Sequence, residues 1–196
     1  MRKTTSLAAI AATGTAVAAF AHSGATGIVK ERMDAMVAMG DAVKSVAPMM
    51  RGEAAYDADL MREAARTFRA HSGDALTELF PEGSGGAPSE AKDAVWSEWD
   101  RFTALAEQLG IYAEGLEGAA GNGLAGAGGS MDAGAMMGGS SGMGSGSMMG
   151  GSTMMGTDAS GMMRAADIAA MPADAAFNMT TQVCSACHTR FRAEDD

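Results

Sequence analysis

An all-α fold, an antiparallel four-helix bundle with one long flexible Gly/Met-rich loop between helices three and four, is predicted for this 196-residue chain. Two segments repeat an apolar residue every seven positions, the period of a helix stripe rather than of a strand. β-branched runs are scarce. Aromatic residues make up only 5% of the chain, too few for most β-sandwiches.

The first segment runs from about Thr26 to Arg51. Val29, Met36, Val43 and Met50 stand seven apart, with Met33, Met39 and Val46 between them, and Gly52 supplies a stop. The second runs from Asp57, suited to an N-cap, to Leu79. Leu60, Ala64, Phe68, Leu76 and Leu79 form its apolar face, and Ser72-Gly73 marks a break or bend. Phe80-Pro81-Glu82-Gly83-Ser84-Gly85-Gly86 reads as a loop. The third segment starts near Ser89 as a cap and reaches Ala119. Val95, Phe102, Leu109 and Leu116 repeat along it, with Trp99, Ala106 and Ala113 as a companion row. The fourth runs from Pro172, placed for a first helical position, to Arg192, and buries Ala176, Phe177, Val183 and Phe191.

Residues 121–163 form a low-complexity insert holding 10 of the 19 Met and 15 of the 27 Gly, with only Asp132 and Asp158 charged. Glycine at that density costs too much backbone entropy for a helix, so a flexible loop is expected. The alternative is a soft-metal trap. Thioethers select Cu(I), and Met136-Met137, Met148-Met149 and Met154-Met155 bring them together, without a His or Cys in the insert.

Arg2 and Lys3 precede an uncharged, Ala-rich stretch from Leu7 to Phe20, and Ala19-Phe20-Ala21 fits a small-x-small cleavage site. Residues 1–21 are therefore expected to be a signal peptide. The apolar run falls short of the ~20 residues a membrane span needs, so no membrane insertion is expected after cleavage, and the mature chain should be periplasmic. Residues 22–120 then carry the first three helices, 121–163 the insert and 164–196 the last helix. The net charge of −10, from 14 basic and 24 acidic residues, makes nucleic acid a poor partner.

Cys184-Ser185-Ala186-Cys187-His188 is a CxxCH box, the attachment signature of c-type haem. On a helix, positions i, i+3 and i+4 share a face, so both thiols and the imidazole address one object. The thiols, Cys184 and Cys187, can add to the two haem vinyl groups, which puts His188 under the iron as its proximal ligand. A thioredoxin-like pair would need the CxxC at a helix N-terminus in an α/β fold. A structural zinc site would need four ligands, yet only His22 and His71 remain as further His or Cys.

With the motif near the C-terminus of a four-helix chain, the sequence resembles class II cytochromes c, the cytochrome c′ group. Arg32, Met36 and Gly40 match along the first helix. Met50-Arg51-Gly52-Glu53-Ala54-Ala55-Tyr56-Asp57-Ala58 is similar to the family's M-x-G-x-x-x-[FY]-D-A, and Phe80-Pro81-Glu82-Gly83-Ser84 to its F-P-x-G-S. Ala94-Val95-Trp96 resembles its helix-three entry, and Cys184 to Arg192 fits C-x-x-C-H-x-x-x-[RK]. The likeness covers about Gly27 to Leu116 and Asp174 to Arg192; the insert departs from it.

The resemblance implies one covalently attached haem c, with Arg32 on a haem propionate, Arg192 beside the proximal face and Met36 on the distal side of the iron. The family divides at that last position. In one branch a Met ligates the iron and gives low-spin haem for electron transfer; in the other an apolar side chain leaves high-spin iron that admits NO or CO. Ligation by Met36 is the expected state, with Met33 and Met39 able to replace it only if the helix rotates. The expected distal helix offers Met, Val and Ala, so an electron carrier serving periplasmic redox partners is expected, not an enzyme. The alternatives are a five-coordinate NO/CO-binding cytochrome c′ and a Met-rich copper-handling protein. The resemblance also allows a homodimer paired through the first two helices.

Overall fold

Residues 24–125 and 163–193 are described by the computed structural model, and they are helical apart from loops and one isolated bridge between Ala91 and Arg192. The expected signal peptide and the doublets Met136-Met137, Met148-Met149 and Met154-Met155 lie outside the described residues. The helices are α1 (Gly27–Met50), α2 (Ala58–Ala70), α3 (Asp74–Thr77), α4 (Ala94–Ser97), α5 (Trp99–Ala119), α6 (Ala165–Ala169) and α7 (Ala173–Phe191). Among the described residues no helix is long and apolar enough to cross a membrane.

α1 ends where expected. Gly52 takes a left-handed conformation (φ 71°) and its N–H donates to the Met49 carbonyl at 3.2 Å. Asp57 caps α2, its Oδ1 accepting from the N–H groups of Asp59 (2.9 Å) and Leu60 (3.1 Å). The break falls at Ser72-Gly73, where Gly73 has φ 56° and its N–H reaches the Ala106 carbonyl at 2.9 Å.

The bundle is formed by the four long helices. α1 packs on α2, α2 on α5 and α5 on α7, whereas α1 and α7 barely meet. Three seams are closed and the fourth stays open. The larger core joins Val46 and Met49 of α1, Met61 and Phe68 of α2, Leu109 and Leu116 of α5, and Phe177 and Val183 of α7. The smaller core stacks Phe80 edge-on to Phe102 (4.8 Å between centroids) and Phe102 edge-on to Phe191 (5.4 Å). Each fully buried large apolar side chain contributes about 1.5–3 kcal/mol.

Several expectations need correction. In α1 the buried row is Arg32, Ala35, Met39, Val46 and Met49, so Met39 and Val46 of the expected stripe are buried but its Val29–Met36–Val43–Met50 row is not. Met36 and Val43 are only partly buried because they face the open seam. The third segment does not become helical at Ser89. Residues 90–92 run extended along the end of α7, with Lys92 N–H donating to the Phe191 carbonyl (2.8 Å) and Ala193 N–H to the Glu90 carbonyl (2.7 Å). The helix is broken again at Glu98 (φ −122°, ψ 42°), and Trp99 is 37% exposed instead of lining the core. Pro172 is the N-cap of α7, one residue ahead of the first helical position.

α6 was not anticipated. It presses Ile168 into α5 opposite Gly115, and Ala169 opposite Gly118, where a side chain on either glycine would collide. The chain entering and leaving the insert is tied together beside it. Asn122 Nδ2 donates to the carbonyls of Ala169 (2.9 Å) and Met171 (2.6 Å), Ala173 N–H to Gly123 O (2.8 Å), and Ala125 N–H to Asp174 Oδ1 (2.8 Å).

Candidate cofactor site

The open seam between α1 and α7 is a cleft. Its outer part, a cavity of about 320 Å³, is walled by Met33, Met36 and Gly40 of α1, by Phe80, Val95, Phe102 and Phe191, and by Cys187 and His188 of α7. An inner cavity of about 120 Å³ lies among Met36, Met39, Val43, Phe68, Leu105 and Val183, and also borders Cys184, Cys187 and His188. Met36, Gly40, Cys187 and His188 border both parts. A side chain at Gly40 would meet nothing within 4 Å, so this stretch of α1 faces open space.

α7 turns its motif toward this space. Cys184 packs against the larger core and Cys187 against the smaller one, so the two thiols straddle the junction of the cores. Both are free cysteines. Burial pushes the Cys184 thiol up, and burial with the neighbouring Cys184 raises Cys187 to about 11. That is opposite to the lowered values that activate a dithiol redox pair, and the motif sits far from the N-terminus of α7. His188 is at the rim. Its pKa is lowered by partial burial and then by the Arg192 charge, against an opposing pull from Glu90.

Arg32 is the one charged residue of α1 in the interior, 4% exposed. Its guanidinium donates to Ser84 Oγ at 3.3 Å and to the Ser84 carbonyl, and lies 4.8 Å over the Phe80 ring. Among the described residues no carboxylate pairs with it. Desolvation accordingly lowers its pKa, since a buried cation without an anion is costly. Such a cation in a cavity wall suits a ligand that carries its own carboxylate. Arg192 also borders the cleft, half exposed, with its Nε donating to Glu90 Oε2 at 2.6 Å.

All six residues singled out from the sequence therefore border one cleft. Met33 borders the outer cavity and Met39 the inner one, whereas Met36 borders both. Sequence reasoning missed Phe80, Ser84 and Glu90. Phe80 and Ser84 stand in a segment that composition marks as loop, and only the likeness to F-P-x-G-S pointed to them. Nothing local signals Glu90, whose partner is 102 residues away.

A family model described as Cytochrome C' matches residues 27–137, more than half of the chain. The chain belongs to the cytochrome c′ family. Haem c, covalently attached, is the cofactor of the cytochrome c′ family. The matched stretch stops before α7, so the CxxCH is an independent mark of the same cofactor.

Among relatives, cytochrome c-556 of Agrobacterium tumefaciens (strain B2A) is 34% identical over 88 residues, 45% of this chain and 70% of that protein. Cytochrome c′ of Pararhodospirillum photometricum is 34% identical over 93 residues, 47% of this chain and 73% of that protein. Cytochrome c′ of Rhodopseudomonas palustris shares the fold at a TM-score of 0.57 and 20% identity, over 88% of this chain and 100% of that one. A nitric oxide complex of a cytochrome c prime mutant from Alcaligenes xylosoxidans does so at 0.54 and 18%, over 86% and 94%.

The cleft residues fit the family's cofactor. A flat, apolar macrocycle with two carboxylate arms asks for apolar walls, a thiol pair with an imidazole on one side, and an uncompensated cation. Each is present among the residues bordering the cleft.

Proposed function

We propose that this cytochrome c′ family member is a periplasmic electron carrier. Cys184 and Cys187 hold its haem c, His188 is the proximal ligand and Met36 the distal one. The position of Met36 carries this reading. It borders both cavities from α1, while Cys187 and His188 border both from α7, the helix that α1 barely touches.

Haem c supplies an iron centre that takes and gives one electron and accepts axial ligands. The thiols fix it to α7, so it is not lost outside the cytoplasm. A Met36 thioether, soft and polarisable, favours the reduced iron and raises the potential. Arg32 compensates a propionate in place of the anion its burial lacks. Phe80, Phe102 and Phe191 keep water from the buried edge of the cleft.

The same lining argues for a carrier rather than an enzyme. α1 presents Met33, Met36, Val37 and Gly40 to the cleft with the cations Arg32 and Lys44, and among the described residues the one carboxylate there, Glu90, is held by Arg192. Redox partners are the proposed company, and residues 1–21 the proposed export signal. A homodimer paired through α1 and α2 is part of the same reading.

A second reading has an observation of its own. The inner cavity that Met36 borders is lined mostly by apolar side chains and is large enough for a diatomic molecule, and a structural neighbour is a nitric oxide complex. In that reading Met36 is a steric gate on five-coordinate iron.

Absorption spectra of the oxidised and reduced holoprotein, with and without CO, separate the two. Low-spin spectra with slow CO uptake support the carrier. High-spin iron that binds CO or NO at once overturns it in favour of the gas-binding form.

A further inference from the structure

Among the described residues, four glycines stand within α-helices beyond the first residue: Gly40 in α1, and Gly110, Gly115 and Gly118 in α5. None has a positive φ, so none is there for its backbone freedom. A glycine so placed lowers the folded-to-unfolded ratio about two- to fivefold relative to Ala. In α5 the reason for it is close packing. A Cβ would stand 3.1 Å from Ser72 Oγ at residue 110, 2.5 Å from the Ile168 Cβ at residue 115 and 2.7 Å from the Ala169 Cβ at residue 118.

Gly40 differs. A Cβ there would meet no neighbouring atom within 4 Å, yet the residue borders both the outer and the inner cavity. It shares that double position with Met36, one turn earlier on the same face of α1, and with Cys187 and His188 of α7. Among the described residues nothing packs close enough to require a glycine at residue 40. The requirement comes from what the cleft takes in.

We infer that Gly40 is the point where the backbone of α1 lies against the face of the haem, and that this close approach lets the Met36 sulfur reach the iron. The second half rests on the reading of Met36 as distal ligand. The thiols fix the haem from the α7 side, so α1 must come to it. Carbon atoms in contact stand about 3.5–4 Å apart, so each carbon added between helix and macrocycle sets α1 back on the order of 1 Å. An axial bond tolerates only about 0.2 Å. Gly40 is therefore a positioning residue for the distal ligand, one turn away from the sulfur it serves.

The test is a side-chain series in the purified holoprotein, Gly40→Ala and Gly40→Leu, read by chemical denaturation and by the ferric absorption spectrum. Ala and Leu are both strong helix formers, so helix propensity alone would raise the folded-to-unfolded ratio about two- to fivefold in each. Contact with the haem predicts the opposite sign. Gly40→Ala should be no more stable than wild type, and Gly40→Leu at least about fivefold less so, as overpacking requires. The high-spin fraction should rise from wild type through Gly40→Ala to Gly40→Leu. A Gly40→Ala holoprotein stabilised about two- to fivefold, with the wild-type spectrum, overturns the inference, even where Gly40→Leu does not accumulate. A wild-type spectrum that is already high-spin overturns the distal role of Met36 alone, and the denaturation series then decides whether Gly40 meets the haem.

Discussion

Gly115 of α5 and Ile168 of α6 approach so closely that a Cβ at residue 115 would stand 2.5 Å from the Ile168 Cβ and 2.9 Å from the Ala165 carbonyl oxygen. Neither is the movable end of a long side chain, so the short helix would have to retreat. Gly115→Ala is expected to destabilise the protein by about 1–3 kcal/mol, the cost of overpacking. Chemical denaturation measures it. The haem spectrum should stay as in wild type, because α6 does not border the cleft.

Removing both thiols, Cys184→Ala with Cys187→Ala, should abolish covalent attachment. Protein expressed with a haem-maturation system should then lose its haem to acid–acetone extraction, which wild type resists. Retained haem in the double variant would show that the attachment lies elsewhere.

Met36→Ala should convert low-spin iron to high-spin iron. A distal site that Met leaves only about 1–10% of the time lowers apparent CO affinity by that fraction. Loss of the sulfur should therefore raise CO affinity on the order of 10- to 100-fold, and lower the reduction potential. Carbon monoxide titration followed by absorbance reads the first, and a redox titration the second.

The pairing of Arg190 with Glu98 holds the Glu98 carboxyl below its ordinary value, chiefly through the side-chain hydrogen bond. A lowered carboxylate stabilises the fold above its unfolded pKa and loses that contribution as pH falls through the folded value. Thermal midpoints of wild type and Glu98→Gln should therefore differ near neutral pH and begin to converge as pH falls below the ordinary glutamate value of about 4.3, meeting once it has passed the lower folded value. A gap that persists in acid would mean the carboxylate charge is not what joins the start of α5 to α7.

Excising residues 126–162 and bridging the ends with a short Gly-Ser linker should leave the bundle folded and the haem spectrum unchanged. The flanking chain is already tied, from Asn122, Gly123 and Ala125 to Ala169–Asp174. A deletion reaching back to Gly123 would cut two of those ties, so it should cost stability that the shorter one does not. Stoichiometric Cu(I) uptake by the intact chain, lost on excision, would assign the Met doublets a metal role.

What the sequence made legible was local and periodic. Phe102, Leu109 and Leu116 are all buried, because a seven-residue repeat on one helix, α5, meets the core whatever the neighbours are, and Val95 of α4 is buried too although the break at Glu98 divides it from that helix. The thiol pair and imidazole fall on one helix because their spacing is helical. The rest depended on distant partners. In α1 the seven-residue row stays half-buried because a cleft, not a helix, faces Met36 and Val43, while Met39 and Val46 beside it reach the core. Phe80 stands in a glycine-rich stretch yet is buried, since Phe102 and Arg32 close over it. α6 is five residues long, too short to show a period, and its place is set by two glycines on another helix.

The open seam lies between the first and last long helices, so its two walls are the parts of the chain made farthest apart in time. A growing chain can close the α1–α2 and α2–α5 seams in sequence, but the α5–α7 seam and the second wall of the cleft both wait for α7 to dock. α7 is also the helix that carries the thiols. On the proposed attachment through those thiols, loading and completion of the bundle converge on one late event, and a chain cut short before α7 would lack the second wall of the cleft.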